Sequence, residues 1–461
     1  MMTLGEVGMI THGVASTTST QHEFMRVTTD SRTLRPGDLF VAIRGERFDG
    51  HDFVDQALCG GAAGALINSD SAARFGSDGR CVAVRDTRLA LGQLARGWRT
   101  RFALPLIAVV GSNGKTTVTQ MIASILRELA GAAAFHTEGN LNNDIGLPLT
   151  LLRLRPQHSF GVVELGMNHR GEIAYLSGIA RPTVALVNNA QREHQEFMES
   201  VEDVAVENAS IFDFLPFDGT AIINADDPHA EFFRERAAAR KTLSFGIQQP
   251  ADVRGTMGDA AFGSHLELSA AAGQVQVTLR IAGRHNAMNA LAAAAAALAA
   301  GVPLPVVGRG LAAFVPVAGR LAKSMLPNGA VVLDDTYNAN PDSVRAAIDV
   351  LHGIGGRRVL VLGRMAEVGE QGPAFHREVG AYARQCAIDT LYTLGPETAA
   401  AALAFGAGAE TFADVAAVIE ATRAIAVAGT TVLVKGSRSA RMERVVHALV
   451  NQTAALREET H

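Results

Sequence analysis

Lysine is nearly missing from this chain. In 461 residues only Lys115, Lys241, Lys323 and Lys435 are lysine, and arginine carries the rest of the positive charge. Any chemistry that needs an ammonium group is confined to those positions. Cysteine is as scarce: Cys59, Cys81 and Cys386 have spacings that fit neither a zinc site nor a disulfide framework, which points to a reducing compartment. Basic charge is not in excess. With 41 Lys and Arg against 46 Asp and Glu the net charge is -5, so the footprint of a nucleic-acid binder or a polybasic membrane patch is lacking. No basic segment opens the chain; Glu6 is the first charged side chain, and residues 1–14 do not read as a signal peptide. One uncharged run, residues 290–308, is long enough to raise the question of a membrane span. It is mostly alanine and is broken by Gly301, Pro303 and Pro305, so it reads as a buried helix followed by a loop. A cytoplasmic monomer is expected, with no nucleic-acid partner and no stable membrane insertion, holding small anionic ligands at local sites.

What is present is ordinary globular composition, 48% hydrophobic and 19% charged, and a length that suits three domains at roughly 100–200 residues each. The pattern is α/β throughout. Residues 1–103 read as a small α/β unit: a strand at 38–43 after the Pro36-Gly37 turn, a helix at 53–63 ended by Gly64, a strand at 65–67 and a helix at 88–101. Residues 104–316 read as a central P-loop domain. Short apolar strands at 106–110, 161–165, 183–187 and 220–223 alternate with helices, as in a parallel sheet covered on both faces. Alternation at Val275, Val277, Leu279 and Ile281 reads as an antiparallel appendage. Residues 317–461 read as a Rossmann-like, doubly wound domain, with strands at 330–333, 358–362, 390–393 and 431–434 and helices at 343–351, 373–385 and 414–426. No short-period repeat and no low-complexity linker is visible.

The strongest chemical signal is Gly111-Ser112-Asn113-Gly114-Lys115-Thr116-Thr117 between a strand and a helix. Glycines let backbone N–H groups approach a phosphate, the helix N-terminus favours an anion, and a lysine in this solvated loop adds charge. Thr116 or Thr117 offers a hydroxyl to Mg2+. The eight-residue Walker pattern would place glycine where Val109 stands, so the general motif is incomplete. Glu164 ends a buried strand, where α/β ligand sites form and a carboxylate can hold Mg2+; capping of the next turn is the structural alternative. His194 follows the neighbouring strand and is either a structural histidine or a metal ligand. Asp334-Asp335-Thr336-Tyr337-Asn338-Ala339-Asn340-Pro341 could bind a base and ribose or form a turn and N-cap.

Together these pieces resemble the Mur ligase family, which also holds folylpolyglutamate synthetase, over nearly the whole chain. Residues 111–117 are similar to the family's own short phosphate loop. The resemblance implies catalytic roles for Lys115, Glu164 and His194, with Thr116, Glu164 and His194 near the metal. It implies nucleotide contacts from the loop, from Asn286 and Asn289 of Gly283-Arg-His-Asn-Ala-Met-Asn289, and from Arg320, Asp335 (or Asp334, one residue away), Tyr337 and Asn338. Thr29-Asp-Ser-Arg32, residues 36–42 and Asp49-Gly-His-Asp52 resemble the UDP-binding unit of the later-acting branches, with Ser31, Arg32 and Asp49 on the substrate. Thr137-Glu-Gly-Asn-Leu-Asn-Asn143, residues 337–341 and Lys435-Gly-Ser-Arg438 are similar to the branch that adds D-alanyl-D-alanine, implying substrate contacts from Thr137, Asn140, Asn142, Asn143, Lys435 and Ser437. The glycine motif of the early-acting ligases and the Asp-Asn-Pro-Arg motif of the diamino-acid branch are absent. Arg364 stands where the family carries an aspartate, and Asn208 where many members carry a CO2-modified lysine, with Glu207 beside it as another source of charge.

The implied activity is ATP- and Mg2+-dependent joining of D-Ala-D-Ala to UDP-MurNAc-tripeptide through an acyl phosphate. Its third peptide residue is diaminopimelate or lysine. Competing readings are the diamino-acid-adding ligase, folylpolyglutamate synthetase, a P-loop switch or kinase without ligation, and a nucleotide-binding module without catalysis.

Overall fold

The computed structural model describes residues 1–15, 20–75, 79–193, 195–260 and 262–458. Three main sheets follow one another along the chain. The first orders its strands Val14–Ala15, Cys81–Val84, Gly64–Asn68, Asp38–Val41 and Arg26–Thr28, parallel except at the Val14–Ala15 edge. The second has nine strands: Gly273–Leu279, Gly263–Ala270, Val253–Ala260, Lys241–Gly246, Thr220–Asn224, Val184–Val187, Leu106–Val110, Phe160–Glu164 and Ala134–His136. The third runs Ala322–Met325, Val331–Asp335, Thr430–Lys435, Arg357–Leu362, Thr390–Leu394 and Ala409–Phe412, with only the first strand antiparallel. Central strands such as Leu106–Val110 are buried along their whole length, which is why they read as unbroken apolar runs.

The helix Lys115–Ala130 sits under the nine-stranded sheet because Val118, Met121, Ile122, Ile125 and Leu126 fall on one face and are all buried. It begins after Gly114 at φ 82° and ends at Gly131 at φ 57°, a left-handed region that favours glycine. Beside it lies Arg284–Ala299, whose alanines 290 and 292–297 are fully buried and bring the helix close to its neighbours. One apolar cluster continues from Val118 and Leu291 into Ile348 and Leu362 of the third sheet's layers. A second joins Leu4 and Leu91 to Val163 and Leu176. The nine-stranded unit therefore shares a core with each of its neighbours.

Two sequence expectations need correction. The run after the alanine helix is a second helix, Leu304–Ala313, not a loop; Pro303 is its N-cap and Pro305 lies in its first turn, where a missing N–H breaks nothing. The helix expected over residues 53–63 is Val54–Cys59, ended by Gly60 and Gly61, and Gly64 opens the next strand. The alternating segment is antiparallel, as expected, and its strands extend the edge of the same nine-stranded sheet.

Leu304–Ala313 approaches the P-loop helix through Gly310, where a Cβ would run into the Ile125 backbone, with Ile125 N at 2.9 Å. Gly310 O also accepts a 2.7 Å hydrogen bond from Ser124 Oγ. Gly310→Ala should therefore cost about 1–3 kcal/mol by overpacking, read as a lowered urea midpoint. An unchanged midpoint would show that the two helices are not pressed together here.

Candidate active site

The C-terminal ends of the nine-stranded sheet's parallel strands open into a cleft of about 1710 Å³, larger than the few hundred to about 1,000 Å³ typical of a single small-ligand pocket. Its floor is the Gly111–Thr117 turn, locked to the loop after Val184–Val187. Ser112 N donates to Asn189 O at 3.1 Å and Asn113 N to Asn189 Oδ1 at 2.8 Å. Asn188 Nδ2 donates to Asn113 O at 2.7 Å, and Gln191 N to Ser112 Oγ at 2.9 Å. At Gly114 a Cβ would strike Asn289 Oδ1 and lie 2.8 Å from Asn188 Nδ2, so the chain passes there only as glycine. The P-loop helix has no side-chain N-cap, which leaves its first amides facing the cleft as an anion site.

Lys115 is not in a solvated loop. It is the first residue of the helix, its side chain is 13% exposed, and its Nζ donates to Gly111 O at 2.6 Å, Ser112 O at 3.0 Å and both oxygens of Glu193 at 2.9 and 3.1 Å. Glu164 lies on the adjoining strand end and is 2% exposed. Its Oε1 accepts from Asn142 Nδ2 at 2.7 Å and its N–H donates to Thr137 Oγ1 at 3.0 Å; no turn is capped by its carboxylate.

The opposite wall comes from the C-terminal unit. Arg320 donates to Thr116 Oγ1 at 3.3 Å and stacks 4.0 Å from the Tyr337 ring centre. Among the described residues its buried Nε finds no hydrogen-bond partner, so a donor is left over at the cleft. Asp335 lines the cleft and takes Lys435 Nζ at 2.6 Å, whereas Asp334 is turned away onto Gly319 N and Thr336. Asn340 caps the helix Pro341–His352, and its Nδ2 reaches across to Asn113 Oδ1 at 2.9 Å. The sequence 334–341 thus forms the expected helix cap at Asn340 and also lines the cleft at Asp335, Tyr337 and Asn338.

Of the residues singled out from sequence, Ser112, Asn113, Gly114, Lys115, Thr116, Thr117, Asn140, Asn142, Asn143, Glu164, Asn286, Asn289, Arg320, Asp335, Tyr337, Asn338 and Lys435 line this one cleft. Gly111 and Thr137 support it from behind. His194 lies outside the described residues. Ser31, Arg32 and Asp49 are away from the cleft in the N-terminal unit; Arg32 is exposed and paired with Asp30, and Asp49 is engaged by His51 and Arg44. Ser437 is buried, with its hydroxyl against Ser439. Asn208 is 1% exposed and its Nδ2 has no partner among the described residues, while Glu207 caps the helix Glu172–Ala180 through Gly171 N and Ile173 N, each at 2.8 Å.

Sequence reasoning missed the stretch Gln191-Arg192-Glu193. Arg192 crosses to the C-terminal unit and binds Asp342 at 2.6 Å and Glu378 at 2.7 Å. The Glu378 and then the Asp342 carboxylates hold it firmly protonated. Its partners are 150 and 186 residues away, so no local pattern marks it. Glu193 falls on Lys115 in the same way, 78 residues distant.

The chain matches the Mur ligase family, catalytic domain over residues 23–99, the Mur ligase middle domain over 109–297, and the Mur ligase, glutamate ligase domain over 319–438. It is similar to the UDP-N-acetylmuramoyl-tripeptide–D-alanyl-D-alanine ligase of Escherichia coli (strain K12), at 43% identity over 92% of this chain and 93% of that protein. Among solved structures it resembles MurF from Acinetobacter baumannii, with TM-score 0.90 and 35% identity over 97% of this chain and 98% of the other. It also resembles MurF ligase from Thermotoga maritima in complex with ADP, with TM-score 0.81 and 28% identity over 93% and 98%.

The loop carrying Arg364 hangs on His376. This buried imidazole accepts Met365 N–H at Nε2 (3.1 Å) and donates Nδ1–H to Gly372 O (2.7 Å), so it must be neutral. Burial pushes its pKa down from the ordinary 6.5. The unfolded chain then binds the extra proton first, so stability is full above about pH 6.5 and falls as pH drops below it. Wild type should lose more stability between pH 8 and pH 5 than His376→Gln in urea titrations. Equal losses would mean that this imidazole does not titrate with folding.

Proposed function

The chain belongs to the Mur ligase family, and from that premise we propose that it joins D-alanyl-D-alanine to UDP-N-acetylmuramoyl-tripeptide in peptidoglycan synthesis, with ATP converted to ADP and phosphate. The observation that carries the reading is the meeting in one cleft of a phosphate loop with open helix amides, the strand-end carboxylate of Glu164, and the Arg320–Asp335 wall of the C-terminal unit. A carboxylate and an amine do not condense in water. The peptide carboxylate attacks the terminal phosphorus of ATP, ADP leaves, and the dipeptide amine then attacks the acyl carbon and expels phosphate. In this reading the helix amides, Arg320 and, once freed from its present partners, Lys115 balance the negative charge that develops on the transferred phosphoryl group.

Mg2+ fits the donors present. Glu164 has one carboxylate oxygen on Asn142, and Thr116 adds a hydroxyl. Among the described residues no group of three or more His, Cys, Asp or Glu could hold a metal; Mg2+ usually takes one or two carboxylates and completes its shell with phosphate oxygens and water. Such an ion would neutralise phosphate charge. His194 is the proposed further ligand. Asn208 is a neutral amide and Glu207 is committed as a helix cap, so the reading includes no modified lysine at that place.

The N-terminal unit, 1–103, takes the uridine end of the substrate through Ser31, Arg32 and Asp49. The unit 104–316 takes ATP, with Asn286 and Asn289 against the nucleotide. The unit 317–461 takes the dipeptide near Lys435 and Ser437. Because the Lys435 charge is already balanced by Asp335, it positions that wall rather than meeting a carboxylate alone. Residues of all three units of one chain line the cleft, which supports a monomer, and soluble nucleotide substrates support a cytoplasmic reaction. No helix among the described residues is long and apolar enough to cross a membrane.

Oxygen transfer tests the chemistry. UDP-MurNAc-tripeptide carrying 18O in its terminal carboxylate should pass one label to each phosphate released in the presence of D-Ala-D-Ala. Unlabelled phosphate would mean that water attacks ATP, and an NTPase without ligation would be the better description.

A further inference from the structure

Glu193 is absent from every role above, yet it holds the group on which phosphate binding depends. Both of its carboxylate oxygens lie within 3.1 Å of Lys115 Nζ, and its side chain is 8% exposed. The other two contacts of Nζ, Gly111 O and Ser112 O, fold the lysine back over its own loop. An ammonium has three N–H donors, and here all are engaged by the protein itself. A phosphate bound at the open amides of the P-loop helix would bring anionic oxygens to the ammonium that Glu193 already neutralises. Two anions competing for one cation in a largely buried place repel strongly, because solvent screens them little.

We propose that Glu193 is an internal stand-in for the nucleotide's terminal phosphates: it keeps Lys115 paired and placed while the site is empty, and it must leave before Lys115 can bind phosphate. The inference rests on the ATP reading of the cleft. Its physical logic is that of an intramolecular competitor. Without a carboxylate partner, a buried ammonium beside the loop would be costly. With one, the loop is preformed, but apparent nucleotide affinity falls by the fraction of time that Lys115 is released. Glu193 also follows Arg192, the residue bound to the C-terminal unit. Its backbone position is therefore held from across the cleft, and its release is tied to the same stretch of chain that joins the two units.

Glu193→Gln keeps the size and one of the two acceptor oxygens but removes the charge. Dissociation constants for ATP, ADP and AMP should be measured by calorimetry on wild type and Glu193→Gln, once in EDTA and once in Mg2+, with thermal melting beside them. ATP and ADP should bind about tenfold more tightly to the variant in both media, and AMP should bind equally to the two proteins. With so few lysines, 13C-lysine labelling gives a second readout: adding ATP to wild type should move the Lys115 resonance, and in Glu193→Gln without nucleotide that resonance should already be displaced from its wild-type position. Equal or weaker ATP binding by the variant in EDTA would overturn the proposal. A loss confined to Mg2+ would also overturn it, making Glu193 part of the cation's surroundings. Failure of wild type and variant alike to bind any nucleotide would instead strike the ATP reading itself.

Discussion

The site depends on one polar joint between two units of the chain. Arg192 lies between Asp342 and Glu378, with its own N–H also on Asp342 at 3.0 Å, and Asn113 of the phosphate loop meets Asn340 of the facing helix cap. The arginine is about a quarter exposed, so solvent screening discounts the value of the pair. Its importance is geometric. The planar guanidinium takes two carboxylates in a fixed fork, and that fork sets the angle at which Arg320 and Asp335 face the phosphate loop.

Apolar packing alone would leave that angle loose. The cores are continuous between neighbouring units, through Ile348 and Leu362 on one side and Leu91 and Leu176 on the other. Such contacts hold units together without direction. Direction comes from the strand ends, where buried side chains stop and polar loops begin. The stretch 188–193 meets both demands. Its asparagines and Gln191 bind the phosphate loop, its arginine binds the other unit, and its glutamate binds Lys115.

What could be read from sequence was local. The phosphate loop announces itself in seven consecutive residues, and Glu164 is marked by its place at the end of an apolar strand. Position alone did not separate Asp334 from Asp335, since both lie at the end of the same strand; the pleat turns Asp335 toward Lys435 and the cleft and Asp334 toward Gly319. Pro303 and Pro305 were read as breakers because proline stops a helix and starts one with the same residue type. Lys115 looked solvated because its partner is remote. Arg192 and Glu193 carry no local sign at all, since their roles exist only once distant carboxylates and the phosphate loop are brought beside them.

The central claim is that the Arg192 joint fixes the mutual orientation of the two units that form the cleft. It is tested by the distance distribution between spin labels at Phe217 and Leu403, both more than 80% exposed and on opposite sides of the joint, in a background with Cys59, Cys81 and Cys386 replaced. The distribution should be narrow with Arg192 present and clearly broader in Arg192→Ala. Superimposable distributions would contradict the account and would leave the orientation of the cleft to apolar packing.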